Sequence, residues 1–160
     1  MSKAVGPKPS DLAAEIGKRS KFTSLRQEAY LNLLRTHSSL ASEFSRLYKK
    51  NGLTDSKYNA LRILQGEGKA MQVYQIAERM VTPRTDVTRL VDRLAADGYV
   101  ERVRCEMDRR VVWVTLSSKG KVILRKLEKP VNELHEKQFV SFSNHELETL
   151  NKLLFKARTK

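Results

Sequence analysis

The hydrophobic period changes at Gly98, and that change limits this chain to few folds. Before it, Val87, Leu90, Val91 and Leu94 recur at the spacing of one helix face. After it, Val112, Val114 and Leu116 alternate, as they do on one face of a strand. The spacing predicts a helix over about Val73 to Met80, with Ile76, Ala77 and Met80 inward. A short turn at Val81-Thr82-Pro83 follows, with Thr82 as N-cap and Pro83 at the first helical position. A second helix then runs from about Pro83 to Asp97. Tyr99 to Glu106 reads as a strand, Met107 to Arg109 as a turn, and Arg110 to Leu116 as the return strand. Two helices joined by a short turn make a helix-turn-helix. A β-hairpin directly after it is the winged-helix arrangement. The expected fold is therefore mainly α with a small β-hairpin wing.

Helices flank this lobe on both sides. Ser24 with Gln27 fits a capping box, and Leu25, Ala29, Leu33, Leu40, Phe44, Leu47 and Tyr48 follow at helical spacing to about Lys50. Asn51-Gly52 stops that helix. About 26 residues span roughly 39 Å, more than a small core covers, so part of this helix is expected to pack on another chain. Thr54 caps the next helix, with Tyr58, Leu61 and Leu64 inward and Gly66-Glu67-Gly68 at its end. Ser117 caps a helix reaching about Val140, and Ser143 with Glu146 caps the last one, with Leu147, Leu150, Leu153 and Leu154 expected inward. Ser10 to Ile16 has room for one or two helical turns before Gly17. The expected organisation is a basic N-terminal arm at 1–23, a dimerisation helix at 24–52, a winged helix-turn-helix lobe at 53–118 and C-terminal dimerisation helices at 119–160.

Charge points to a polyanion. The 160 residues carry 31 Lys and Arg against 18 Asp and Glu, a net charge of +13, which favours nucleic acid over a membrane surface. Residues 1–52 hold net +6, residues 53–118 only +2, and residues 119–160 net +5. Yet every basic residue from Ala70 to Ser118 is Arg, whose planar fork suits phosphate and guanine edges. The longest apolar run, Val111 to Val114, is far short of the ~20 residues of a spanning helix. The N-terminus lacks the apolar core of a signal peptide, so a cytoplasmic protein is expected. One cysteine, Cys105, rules out an intrachain disulfide framework. His37, His135 and His145 are scattered, and neither a metal-ligand spacing nor a catalytic triad is visible. The expectation is no enzyme, no metal and no cofactor.

Three stretches together resemble the MarR family of bacterial transcriptional regulators. The first is Ile76-Ala77-Glu78-Arg79-Met80 with Val87-Thr88-Arg89-Leu90-Val91-Asp92-Arg93-Leu94 and Gly98-Tyr99-Val100-Glu101-Arg102. The second, Asp108-Arg109-Arg110 to Leu116-Ser117, looks like the family's wing motif, with Ser117 in place of the usual Thr. The third is Leu53-Thr54 with Tyr58-Asn59-Ala60-Leu61-Arg62-Ile63-Leu64. The resemblance covers about residues 24 to 157. It implies a homodimer with two winged lobes on a pseudo-palindromic DNA operator, often released by a small phenolic ligand or by oxidation. Pro83 departs from the Ser common at that position, and Asp86 places an acid in the first turn of the recognition helix.

The face of that helix opposite its buried stripe carries Thr85, Thr88, Arg89 and Asp92, with Arg84 and Arg93 at the margins. Arg84, Thr85, Thr88 and Arg89 are the candidate base readers, with Arg93 beside them, because N-terminal residues of a recognition helix meet base edges. On the wing, Arg110 is expected in the minor groove. Arg102, Arg104 and Arg109 are expected on phosphates or orienting the wing, and Asp108 pinning the tip through Arg102 or Arg84. Tyr30 and Tyr58 are candidates for either core packing or the wall of a small aromatic effector's pocket. Trp113 is expected to pack, and Cys105 to be an inert thiol. Two functions stay open: a sequence-specific dimeric repressor, and an architectural protein that coats nucleic acid without reading it.

Overall fold

The computed structural model describes residues 11–82, 86–104 and 111–159. These fall into two compact units that divide between Glu43 and Phe44. In the first, α1 (Asp11–Glu15) precedes the start of α2 (Leu25–Lys50). Leu12 is buried, and Glu15 receives a hydrogen bond from Arg35 Nε at 3.3 Å. The capping at the start of α2 differs from the expected box. Ser24 Oγ accepts from the Gln27 N–H as anticipated, but the Gln27 side chain reaches back to the Thr23 N–H, one residue earlier.

The second unit holds the end of α2, then α3 (Asp55–Glu67), β1 (Met71–Gln72), α4 (Val73–Arg79), α5 (Val87–Ala96), β2 (Val100–Arg104), β3 (Val112–Leu116), α6 (Ser118–Gln138) and α7 (Asn144–Arg158). The expected winged helix-turn-helix is present. Thr54 caps α3 by accepting from the Lys57 N–H at 3.3 Å. Ser117 caps α6 by accepting from Gly120, and Ser143 and Glu146 close a full capping box on α7. The core gathers Leu61, Ile76, Val91, Leu94, Val114, Leu124 and Leu127, all essentially inaccessible. It thus joins α3, α4, α5, the sheet and α6 around one centre.

Three expectations need correction. The sheet has three strands in the order β1-β3-β2, not two, because Met71 and Gln72 pair antiparallel with Val114 and Trp113. Two residues are too few to show a period. The described helix after the turn begins at Val87, with Asp86 as its N-cap, while the expected start at Pro83 lies outside the described residues; the Asp86 carboxylate accepts from the Arg89 N–H at 3.1 Å. That satisfies an orphan amide, so Asp86 caps the helix instead of standing within its first turn. Finally, α7 fully buries no residue: Leu147, Leu150 and Leu154 are only partly covered, and Leu153, expected inward, is 59% exposed.

The junction of α5, the wing and α6 is made of close backbone contacts. Gly98 ends α5 at φ 75°, a left-handed conformation that suits glycine, and the Tyr99 N–H then donates to Leu94 O at 2.9 Å. The Ser117 N–H donates to Tyr99 O at 3.1 Å, and Ser117 Oγ donates to Gly98 O at 2.7 Å. A Cβ on Gly120 would fall on the Tyr99 carbonyl, well inside contact distance. Gly66, in α3, has open space around its Cα. Two substitutions of the same kind should therefore act with opposite sign. Gly120→Ala should destabilise by about 1–3 kcal/mol or more, since backbone cannot rotate out of the way. Gly66→Ala should stabilise by about 0.4–1 kcal/mol. Urea midpoints of the two variants check this.

Candidate nucleic-acid interface

The helix α5 separates its two faces cleanly. Val87, Leu90, Val91 and Leu94 are buried, while Thr88, Arg89, Asp92 and Arg93 are exposed. With Asp86 as N-cap, Thr88 and Arg89 stand in the first turn, where a recognition helix meets base edges. Arg89 Nε lies 3.9 Å from the Asp86 carboxylate, with its side chain 77% exposed. That contact is loose enough to leave the guanidinium available. Arg93 has no ion-pair partner among the described residues, because the two nearby acids on this helix end are taken. Asp92 holds Arg102, and Asp97 holds Lys57 at 2.5 Å.

The Arg102–Asp92 pair joins the first wing strand to the exposed face of α5. Arg102 thus orients the wing from its root. Its partner is Asp92, which the sequence reading did not choose. Arg104 ends β2, exposed, opposite Val112. Arg84 and Thr85 lie outside the described residues, as do Cys105, Asp108, Arg109 and Arg110. Trp113 is half-buried on the outer face of the sheet, registered between Gln72 and Val103.

Other side chains position this surface without having been singled out. Asn59 Oδ1 accepts from the Val81 N–H at 3.0 Å, fixing the turn after α4 from the middle of α3. Gln72 and Gln75 form a reciprocal capping box on α4, the first helix of the pair. Arg79, one of the Arg-only set, bonds to Glu67 and so serves to hold α4 to the end of α3. The Glu67 carboxyl lies below its usual range because Arg79, and then Lys69, donate to it. Sequence spacing gives no sign of Asn59, since its partner lies 22 residues away.

Four aromatic rings run in series in the second unit. His135 packs on Phe44 at 4.7 Å, Phe44 meets Tyr48 at 6.0 Å, and Tyr48 stacks on Tyr58 at 4.3 Å. Burial, first among the causes, pushes both tyrosine hydroxyls up, so both remain neutral. Tyr58 is thus a packing residue of this series. Tyr30 is 62% exposed and joins no core within the chain.

Comparison with known proteins agrees with this architecture. Residues 51–111, from just after α2 to just before β3, match the model of the MarR family. The chain is similar to the homoprotocatechuate degradative operon repressor of Escherichia coli, 25% identical over 122 residues, 76% of this chain and 82% of that one. The solved structure of Bordetella bronchiseptica BpsR, whose DNA binding is regulated by 6-hydroxynicotinic acid, shares the fold with a TM-score of 0.72. It is 21% identical, over 83% of this chain and 99% of that one. A MarR transcription factor from Planctomyces limnophilus is 38% identical, with a TM-score of 0.66 over 84% of this chain and 98% of that one. With sequence and winged fold in agreement over nearly the whole length of that relative, this chain belongs to the MarR family of transcriptional regulators.

Proposed function

We propose that this chain is a sequence-specific repressor that binds a pseudo-palindromic DNA operator as a homodimer. The observation that carries the reading is the outer face of α5. Thr88, Arg89 and Arg93 stand exposed opposite the buried stripe, with the wing strand fastened beside them through Arg102 and Asp92. Arg forks suit guanine edges and phosphates, and the Thr methyl suits thymine. Arg84 and Thr85 extend the same reading ahead of α5. Arg110 would enter the minor groove at the wing tip, with Arg104, Arg109 and Asp108 setting the tip on the backbone. The cytoplasm is where such a protein meets its operator.

The dimer is supported by apolar surface that each unit leaves uncovered. Leu25, Tyr30, Leu33 and Leu34 are exposed on α2, and Val140, Phe142, Leu153 and Phe155 are exposed at the C-terminal end. A 15-residue helix with nothing buried is marginal in water, so a second copy is the simplest cover for α7. Release by a small aromatic effector belongs to the same reading. The ring series from His135 to Tyr58 offers stacking faces for it.

The competing reading is a nucleic-acid coat without sequence preference, favoured by the charge excess in the flanks. Selection of bound fragments from random DNA, followed by competition against scrambled DNA, separates the two. A specificity ratio of about 10³ or more supports the repressor. Half-sites about 10–11 base pairs apart are expected, one helical turn.

Substitutions and sedimentation give further expected outcomes. Arg89→Ala should cost roughly 1–3 kcal/mol on the operator and relax preference at one position per half-site. Arg110→Ala should act according to the A·T content of the site edge. Lys18→Ala should at most lower affinity evenly and flatten the salt slope by about one. Binding titrations at two salt concentrations read all three, and equal weakening of operator and scrambled DNA by Arg89→Ala would remove α5 from base reading. Sedimentation at micromolar concentration should give twice the monomer mass, and the double change Leu150→Glu with Leu154→Glu should give monomer.

A further inference from the structure

The buried stripe of α5 keeps that helix in the lobe but does not aim it. Val87, Leu90, Val91 and Leu94 make apolar contacts, which have no preferred direction. A binding surface works only when its side chains are held within about 0.5 Å and 10–20° of the productive geometry. Directional contacts supply that accuracy, as hydrogen bonds and close ion pairs do.

Two such contacts come from one turn of α3. Lys57 Nζ meets the Asp97 carboxylate at 2.5 Å, and Asp97 is the C-cap of α5. Asn59 Oδ1 accepts from the Val81 N–H at 3.0 Å, in the turn after α4. Residues two apart on a helix leave it roughly 200° apart. A single turn of α3 therefore reaches both the approach to α5 and its far end. Between the two, Tyr58 stacks on Tyr48 at 4.3 Å, and Ala60 and Leu61 beyond them are buried. The turn that grips α5 is itself fixed in the core.

Asp97 is placed against the local preference of its helix. An acid at a helix C-terminus meets the negative pole, so its carboxylate does not serve α5 alone. It serves as a handle for Lys57, while Lys119 Nζ donates to the Asp97 carbonyl at 2.7 Å from α6. The Lys57 side chain is 16% exposed and that of Asp97 40%, so the pair is partly sheltered and salt screens it less than an open one.

We propose that Lys57 and Asn59 are positioning residues for base reading: together they set the direction of α5, and with it the placement of Thr88 and Arg89, while touching no DNA. This rests on the reading of α5 as the base-reading helix. Loss of either contact leaves the apolar stripe packed and the helix free to tilt, so discrimination between sequences fails before the fold does.

The test uses the full chain, fragments selected from random DNA, and scrambled DNA. Lys57→Met removes the ion pair and keeps the apolar stem; Asn59→Leu removes the acceptor. Asp97→Asn, at a partly open position, repeats the first loss without altering α3. Each should weaken operator binding about tenfold or more, the effect of one misread base pair, and leave scrambled DNA within about twofold. The salt slope should stay unchanged, since a lost phosphate contact would lower it by about one. Lys57→Met combined with Asp97→Asn should lose no more than either alone. Lys57→Arg and Asn59→Asp, which keep the cation and the acceptor, should retain operator affinity. One readout needs no DNA: residual dipolar couplings of the Thr88, Arg89 and Leu90 amides, which report the direction of α5. They should change in Lys57→Met and Asn59→Leu while those of α6 hold. A parent protein that binds both DNAs alike would overturn the repressor reading, and the couplings would then decide the positioning role by themselves. The proposal is overturned if the α5 couplings stay at parent values, if the variants weaken both DNAs equally, if the salt slope falls, or if the effects of Lys57→Met and Asp97→Asn add.

Discussion

Everything functional in this chain hangs on the approach of two backbones where α5 ends and α6 begins. The carbonyl of Tyr99 receives the Ser117 N–H and leaves no room for a side chain on Gly120. Ser117 meanwhile closes three contacts: it donates to Gly98, caps α6 and ends β3. Lys119 adds a fourth, reaching back to the carbonyl of Asp97 at 2.7 Å while lying over the Tyr99 ring. Cations at the end of α5 also meet the negative pole of that helix. The recognition helix, both wing strands and α6 are thus set relative to one another by a few residues around one peptide group. Packing then fills in behind them, with Leu94, Val114 and Leu124 inaccessible in the shared core.

Much of this was legible because local chemistry and global fold agree here. The caps at Thr54, Ser117 and Ser143, the stop at Gly98 and the buried stripe of α5 all follow from residue type and period alone. What escaped is of another kind. β1 is two residues long and exists only because β3 offers an edge to pair with. Asp86 caps the described α5, four positions beyond Thr82, and periodicity does not single it out. Asn59 and Asp92 act on partners distant in sequence, and no local pattern marks them.

The exposure of α7 shows the same boundary from the other side. Its leucines form an apolar stripe, yet a stripe says only that something covers it, not which chain does. Within one copy the stripe is only partly covered. Tyr30 of α2 is parallel, 62% exposed in the single chain. Sequence patterns record burial in the working state of a protein, whichever molecules that state contains.

The Arg102–Asp92 pair carries a consequence for any experiment done at varied ionic strength. It is the link between β2 and the exposed face of α5, and both side chains are partly open to solvent, 35% and 49%. Pairs of that exposure are worth about 0–1 kcal/mol and weaken as salt rises. The electrostatic link between the wing and α5 accordingly weakens as salt rises. Salt acts on such a surface twice, once on the ions around a bound polyanion and once on a contact within the protein itself. A count of phosphate contacts drawn from the salt slope alone would include a contribution from a contact that touches no phosphate.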